Sequence, residues 1–407
     1  MLKEILNIQE KLKSTNISVW LMYNTENTDN YLTSYISPLL SVGSYCIISQ
    51  KNTYILVHDL NKDNIPPEES EANNIFWLTY TNKVDLEEKL SYVFEKLGFV
   101  HEIALSYSTL NDKNTDMLGH GQYVEITKQI KKIYNNYNKK IRFKSAERIM
   151  YKLASSKSEL EIDRLKLISK ITLYIIEQTF LNIKVGMSEI QIANLMRKVT
   201  KDTMKLYIKS NDIVDYEFAW ENCPMVLTGH NLTKGGHTLP SSKKLIKGDT
   251  IYIDFGICVI FKDSKRLCTD MQRMGYAIKS NETTVPKYIK KVFDTLVESI
   301  ELGMEYMKPG VKGYTIDKIV RDNILKHGYP NYNHATGHPV GELVHDVGSI
   351  LTMKTNKMSK IELAENGVYT LEPRIGIVNG GSIEEMIQVT KFGGIPICEA
   401  QKKIYIV

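Results

Sequence analysis

Apolar and polar positions along the chain follow two periods, and the changes between them predict its elements. The first 13 residues place apolar positions at helical spacing, with charges every few residues, which predicts an amphipathic helix. Residues 18–23 read as a strand. Residues 45–49 and 53–57 are short apolar runs joined by Gln50-Lys51-Asn52, a hairpin signal. Residues 84–97 return to helical spacing and 102–106 to a strand, so residues 1–140 predict an α/β domain. Residues 141–157 turn basic and predict a helical connector. Ser158 can then cap a long helix whose first turn carries acids, where the helix dipole favours them. Leu165, Ile168, Ile171, Ile175 and Ile176 keep its 3.6-residue period. Val185-Gly186-Met187 breaks the chain before a second amphipathic helix, 188–205. Helices at 285–307 and 315–327 follow, separated by Lys308-Pro309-Gly310, and strands at 367–372, 382–390 and 403–407 close the chain. Helix pairs around a mostly antiparallel sheet predict an α+β domain over 158–407.

Between these helices lies the most pronounced period-two stretch. Two apolar, β-branched runs, 251–261 and 267–276, flank a polar turn at Lys262–Lys265 and predict a β-hairpin. Asp254 interrupts the first run and Asp270 the second. Their midpoint, position 262, falls at the expected turn, so the hairpin is expected to oppose them on one face, about 5 Å apart. Two buried negative charges so placed repel each other. A metal ion between them is the expected remedy.

Composition changes this picture little. A hydrophobic content of 43% and a charged content of 24% describe a globular protein able to bury large cores, and 407 residues suggest two domains. The 52 basic residues exceed the 47 acidic ones only slightly and form no block, so no nucleic-acid partner is expected. No apolar run approaches the roughly 18 residues of a membrane span, and the charged first helix is not expected to act as a signal sequence. Five cysteines, at 46, 223, 258, 268 and 398, make no CxxC pair; their odd number argues against a disulfide framework and for a reducing, cytoplasmic setting.

Candidate chemistry clusters in the second half. Six of the nine histidines lie between residues 230 and 345, whereas His58, His101 and His120 are scattered. His334, His338 and His345 stand beside Gly337 and Gly341, which let backbone pack closely around their rings. Glu372 ends an apolar run just before Pro373. Glu384 and Glu385 share another strand, where adjacent residues face opposite ways, so only one of them can serve a given site. Asp249 and Asp263 fall in turns that suit aspartate without any catalytic role.

The ordered set Asp, Asp, His, Glu, Glu, in these contexts, resembles the pita-bread metallopeptidases: methionine aminopeptidase, aminopeptidase P, prolidase and the creatinase-like hydrolases. The likeness spans nearly the whole chain, including the approach to the long helix at Lys157-Ser158 with Glu161-Ile162. It implies a pita-bread catalytic domain over 158–407 preceded by a smaller creatinase-type domain. It further implies that two divalent metal ions are held by Asp254 of Asp254-Phe255-Gly256, Asp270 of Thr269-Asp270-x-x-Arg273, His338 of Gly337-His338-x-x-Gly341, Glu372 of Glu372-Pro373, and Glu384, six residues before Thr390. Four carboxylates and a neutral imidazole carry about −4, which two such ions neutralise. Oxygen-rich ligation with one nitrogen suits Mn, Co, Fe or Zn, and Mn is the first expectation. The ions would share a hydroxide that attacks the scissile carbonyl, with Glu372 accepting a proton. His345, seven residues after His338, and His237, seventeen before Asp254, would hold the substrate and stabilise the oxyanion; His230 ranks second to His237.

The spacing of His334, His338, Gly341 and His345 is similar to the aminopeptidase P and prolidase branch, where His334 would line the pocket for the proline. X-Pro cleavage of short peptides is therefore expected, with homodimerisation through the first domain, which in the family often caps the cleft. Three departures stand out. Ser382 occupies the place of a substrate-engaging arginine, Arg374 follows Glu372-Pro373 where the family has glycine, and the two aspartates are 16 apart against the family's usual 11. Arg374 is thus a candidate to replace the missing charge. The same departures leave open a non-peptidase C–N hydrolase of a small metabolite on this fold, creatinase-like or similar to ectoine hydrolase.

Overall fold

The computed structural model describes residues 2–24, 43–65, 74–210, 212–235 and 238–407. They fall into two compact units, Met1–Leu153 and Ala154–Val407.

The first unit is built on a six-stranded sheet: β1 Val19–Tyr23, β2 Tyr45–Ser49, β3 Thr53–His58, β4 Ile75–Tyr80, β5 Glu102–Leu105 and β6 Arg142–Ser145, in the order β4-β3-β2-β1-β5-β6. Strands β1, β2 and β3 pair antiparallel, and β4, β5 and β6 join in parallel. Alternation along β1 explains its unbroken apolar run. Trp20 and Met22 pack on one face with helices Leu2–Thr15 and Glu147–Ala154, while Val19 and Leu21 pack on the other with Lys83–Lys96 and His120–Asn136. The stretch expected as a helical connector, 141–157, instead begins as the edge strand β6. Its basic residues Arg142 and Lys144 pair with Glu102 on the neighbouring strand, so the charges that suggested a linker belong to a solvated sheet edge.

In the second unit, the long helix Glu159–Asn182 starts as the sequence suggests: Ser158 Oγ accepts from Glu161 N at 3.3 Å and Glu161 Oε2 accepts from Ser158 N at 2.9 Å, a closed capping box. Helix Glu189–Ser210 follows it, and helices Lys287–Tyr306 and Gly313–Lys326 pack as a second pair. The central hairpin exists, but it is bent into two sheets. β9 Thr250–Phe255 and β12 Met271–Tyr276 pair with β8 Met225–Thr228 and, in parallel, with β18 Tyr405–Ile406. β10 Ile257–Phe261 and β11 Arg266–Cys268 pair with β7 Ile213–Phe218. The bend passes through Gly256, where a Cβ would meet Thr269 O at 2.0 Å, a contact only glycine permits.

The register corrects two expectations. Cys258 faces Cys268 and Asp254 faces Gln272, so the turn is centred on 263 and the two aspartates are not directly opposed. Asp270 sits in the bend between β11 and β12, and the bend itself carries it toward Asp254. Cys258 and Cys268 are joined, with their sulfurs 2.13 Å apart. An odd cysteine count excludes complete pairing but not this one cross-strand pair; Cys46, Cys223 and Cys398 are free.

The closing strand expected at 382–390 is two pieces. β15 Gly381–Ser382 pairs with β14 Arg374–Ile375, and β16 Glu385–Thr390 lies between β13 Val368–Leu371 and β17 Gly393–Pro396. No helix among the described residues is long and apolar enough to cross a membrane.

Candidate metal centre

Five side chains converge where the two hairpin sheets and β13–β16 meet. Asp254 lies near the end of β9. Asp270 lies in the hairpin bend. His338 is pinned to β13 through its backbone: its N–H donates to Thr370 Oγ1 at 3.1 Å and its carbonyl accepts from Thr370 N at 2.8 Å. This approach requires Gly337, where a Cβ would stand 2.0 Å from Thr370 O. Glu372 leaves β13 with its N–H bonded to Thr336 O at 2.8 Å, and Glu384 N donates to Gln272 O at 3.1 Å. His338 Nε2 is 3.6 Å from Asp270 Oδ2, 3.8 Å from Glu372 Oε1 and 3.9 Å from Glu384 Oε1. Asp254, Asp270 and Glu384 offer oxygens within 4.8 Å of one another, as do the ligand atoms of His338, Glu372 and Glu384.

The parity of the Glu384-Glu385 pair resolves as strand geometry requires. Glu384 faces the cluster. Glu385 faces away, its Oε2 receiving Arg273 Nη2 at 2.9 Å and its Oε1 receiving Gln401 N at 2.8 Å. Arg273, fully buried, also donates through Nη1 to Glu384 O at 2.7 Å.

The electrostatics are those of a cation site. Burial raises Asp254, Glu372 and Glu384 well above the usual carboxylate range, and the neighbouring carboxylates raise them further. Burial pushes Asp270 up to about 7. Asp254 Oδ1, Asp270 Oδ1 and both Oε atoms of Glu384 are buried without a hydrogen-bond partner among the described residues. Buried oxygens of this kind are costly unless a proton or a cation reaches them. The donor set of carboxylate oxygens and one imidazole therefore fits divalent metal.

The other sequence candidates are placed as follows. His345 is exposed, its ring 4.2 Å from that of His338 and edge-on at 76°, and it can share a ligand group with Asp270 and His338. Its loop is tied down by a buried Lys157–Asp346 pair at 2.9 Å and by the hairpin tip. There Lys265 pairs with Glu342, Arg266 Nη1 donates to Glu342 O at 2.5 Å, and Cys268 N donates to Gly341 O at 2.8 Å. The long tip is thus packed against the loop that bears His345. His334 is half-buried, and none of the three candidate ligand groups includes it. Its carbonyl accepts from Arg321, which also holds Asp317 at 2.8 Å. Arg374 is buried, sits opposite Ser382 in register, and donates through Nη2 to Leu232 O at 2.9 Å and Lys234 O at 2.7 Å. His237 lies outside the described residues, and His230 is exposed.

Two residues at the centre escape a search for charged groups. Tyr252 OH donates to Asp254 Oδ2 at 2.9 Å, and Gln272 Nε2 donates to Glu372 Oε2 at 3.2 Å. The strand period finds Tyr252, two residues before Asp254 on β9, whereas Gln272 is found only from the register, which sets it opposite Asp254.

Comparison with known proteins agrees with this geometry. The sequence profile of metallopeptidase family M24 matches residues 163–391. The putative dipeptidase YkvY of Bacillus subtilis is 29% identical over 269 residues, 65% of this chain and 66% of its own length. An Xaa-Pro dipeptidase of Pyrococcus horikoshii is 29% identical over 171 residues, 41% of this chain and 44% of its own length. Both matches span less than two thirds of the relative. Among solved structures, an Xaa-Pro dipeptidase from Bacillus anthracis aligns with a TM-score of 0.69 at 20% identity, covering 100% of this chain and 99% of that one. The X-Pro aminopeptidase from Thermotoga maritima aligns with a TM-score of 0.66 at 20% identity, covering 98% and 100%.

Proposed function

The chain belongs to metallopeptidase family M24, the pita-bread peptidases, and on that premise we propose that it hydrolyses the X-Pro bond of short peptides with two divalent ions. The observation that carries this reading is the set of buried oxygens on Asp254, Asp270 and Glu384 without a hydrogen-bond partner among the described residues, with Glu384 Oε1 3.9 Å from His338 Nε2. Asp254, Asp270, His338, Glu372 and Glu384 would hold the ions, Mn first among the candidates. Such ions supply Lewis acidity toward a carbonyl and acidify water toward neutral pH.

The remaining roles belong to the chain's own side chains. Glu372 is the most open of the four carboxylates, its side chain 16% exposed against 8% for Asp270 and 1% for Glu384. That openness supports giving it the proton transfer: it would accept the proton of the attacking water and pass it to the leaving nitrogen. His345, exposed beside His338, would donate to the oxygen that gains negative charge in the tetrahedral state, and His237 is assigned the same task from its spacing. His334 would line the pocket for the proline ring. Arg374, paired across from Ser382, would bring to the substrate carboxylate the positive charge that Ser382 lacks.

A second reading rests on the same arginine. Arg374 is buried beside Glu372-Pro373, where it would narrow the space available for a peptide and so favour a small C–N substrate. Mn-loaded protein incubated with Ala-Pro, Ala-Pro-Ala and Ala-Ala-Ala, followed by mass spectrometry, decides between them. Cleavage of Ala-Pro alone indicates a dipeptidase, and release of alanine from Ala-Pro-Ala an aminopeptidase. All three peptides left intact by metal-loaded protein would remove the X-Pro reading in favour of the small-metabolite hydrolase.

A further inference from the structure

The carboxylate oxygens at the centre divide by what reaches them. Asp254 Oδ2 accepts from Tyr252 OH at 2.9 Å and lies 3.5 Å from Gln272 Nε2, and Glu372 Oε2 accepts from Gln272 Nε2 at 3.2 Å. The other oxygen of each faces inward: Asp254 Oδ1 has no partner among the described residues, and Glu372 Oε1 faces His338 Nε2 at 3.8 Å. One oxygen of each carboxylate is thus fixed by a neutral donor and the other is left for a cation.

Gln272 is the common member of this arrangement. It is buried, at 5% exposure. Its amide reaches Asp254 and Glu372, and its own carbonyl accepts from Glu384 N at 3.1 Å through an isolated antiparallel bridge. A single residue therefore touches three of the four carboxylate residues, two by side chain and one by main chain. Both side-chain neighbours are acceptors, so the amide must present its NH2 end to them. An amide suits this position. It donates without adding charge, whereas a carboxylate would add a fifth negative group and an ammonium would compete with the cation for the oxygens.

We propose that Gln272, supported by Tyr252, is a positioning residue that selects which oxygens of Glu372 and Asp254 face the ions and ties that choice to Glu384 through its main chain. The proposal deepens the reading of the centre as a divalent-metal site and makes no use of the peptide specificity. Its consequence is that the ligands are oriented before any ion binds. Removing the amide leaves Glu372 free to turn, and partners of this kind typically change metal affinity by about 10- to 100-fold.

The test is calorimetric titration of chelator-stripped, full-length protein with MnCl2, for wild type, Gln272→Leu, Gln272→Asn and Tyr252→Phe, with melting temperatures measured with and without metal. Expected is a dissociation constant weakened by about 10- to 100-fold in Gln272→Leu, a smaller metal-induced rise in melting temperature, and a milder loss in Tyr252→Phe. Should Gln272→Leu fail to fold, Gln272→Asn, one methylene too short to reach Glu372, reads the same effect. Wild-type Mn affinity in the Gln272 variants, with a lowered metal-free melting temperature, would mean a purely structural residue and overturn the proposal. Absence of Mn binding by wild type would overturn it too. Wild-type protein that binds Mn but cleaves no X-Pro peptide would defeat the assigned activity and leave this inference standing, because the metal titration decides it.

Discussion

Stripping the ions should make the fold less stable as the pH rises from about 5.5 to about 8, the reverse of what a salt-bridged carboxylate does. Asp270 carries the calculation. Burial raises its carboxyl from an ordinary 3.8 to about 7, and unfolding returns it to the ordinary value. The folded state therefore keeps a proton that the unfolded state has released. That stability is fully present below 3.8 and is lost as the pH climbs through 7. At about 1.4 kcal/mol per pH unit the whole span is about 4 kcal/mol, and the part lost between pH 5.5 and 8 is about 2 kcal/mol. Asp254, Glu372 and Glu384 are raised by burial and further by the neighbouring carboxylates, and act with the same sign. The assay is urea denaturation of chelator-treated protein at both pH values, beside Asp270→Asn, which cannot ionise. Wild type should lose about 2 kcal/mol or more, and the variant should lose less. With saturating Mn the trend should reverse, because the ions bind the deprotonated oxygens. A metal-free wild type whose stability is flat or rises with pH would refute the reasoning, as would equal slopes in the two proteins.

Other substitutions probe the surroundings of the centre. Gly337→Ala would force a Cβ to within 2.0 Å of Thr370 O, so it should displace His338 and abolish the Mn-induced rise in melting temperature, read by circular dichroism. Glu385→Gln leaves the fully buried Arg273 without its counter-charge and should cost about 3–5 kcal/mol in chemical denaturation. The double change Arg273→Met with Glu385→Leu should recover most of that loss. Arg374→Met should raise KM for Ala-Pro by about tenfold or more while changing kcat little, the signature of a lost charge-assisted contact to a bound carboxylate; an unchanged KM would remove Arg374 from substrate binding.

Residue order alone marked the region, and the family likeness named its members. Asp254, Asp270, His338, Glu372 and Glu384, the set that likeness implied, stand close together. Strand parity could say that Glu384 and Glu385 diverge, but only the family's six-residue interval to Thr390 could say which one turns inward. The hairpin register was not accessible. The polar turn expected at Lys262–Lys265 is where the chain reverses, closed with Ser264 at φ 63°, but its centre at 263 lies one residue beyond the midpoint of the two carboxylates, so they do not oppose each other and the bend brings Asp270 in by another route. Tyr252 and Gln272 were missed because uncharged donors leave no mark in a search for ligands. In the first unit, β6 was hidden by Arg142 and Lys144, whose charges suit a sheet edge as well as a linker.

The Arg273–Glu385 pair bears on when the centre is completed. Suppose residues 384–390 paired one position out of step. Glu385 would then occupy the place of Glu384, and the ions would meet an apparently complete set of ligands, so metal binding alone could not tell the two arrangements apart. Arg273, however, would find Met386 where Glu385 belongs, and a guanidinium buried against a thioether is a heavy penalty. In the opposite slip Ile383 would enter the cluster and Arg273 would be satisfied by Glu384, a state without its full ligand set. Only the native pairing satisfies both faces of the strand. The discrimination against the first slip comes from a contact that involves no metal. A newly made chain can therefore settle its register before any ion arrives, and the ion binds to a scaffold whose alignment is already decided.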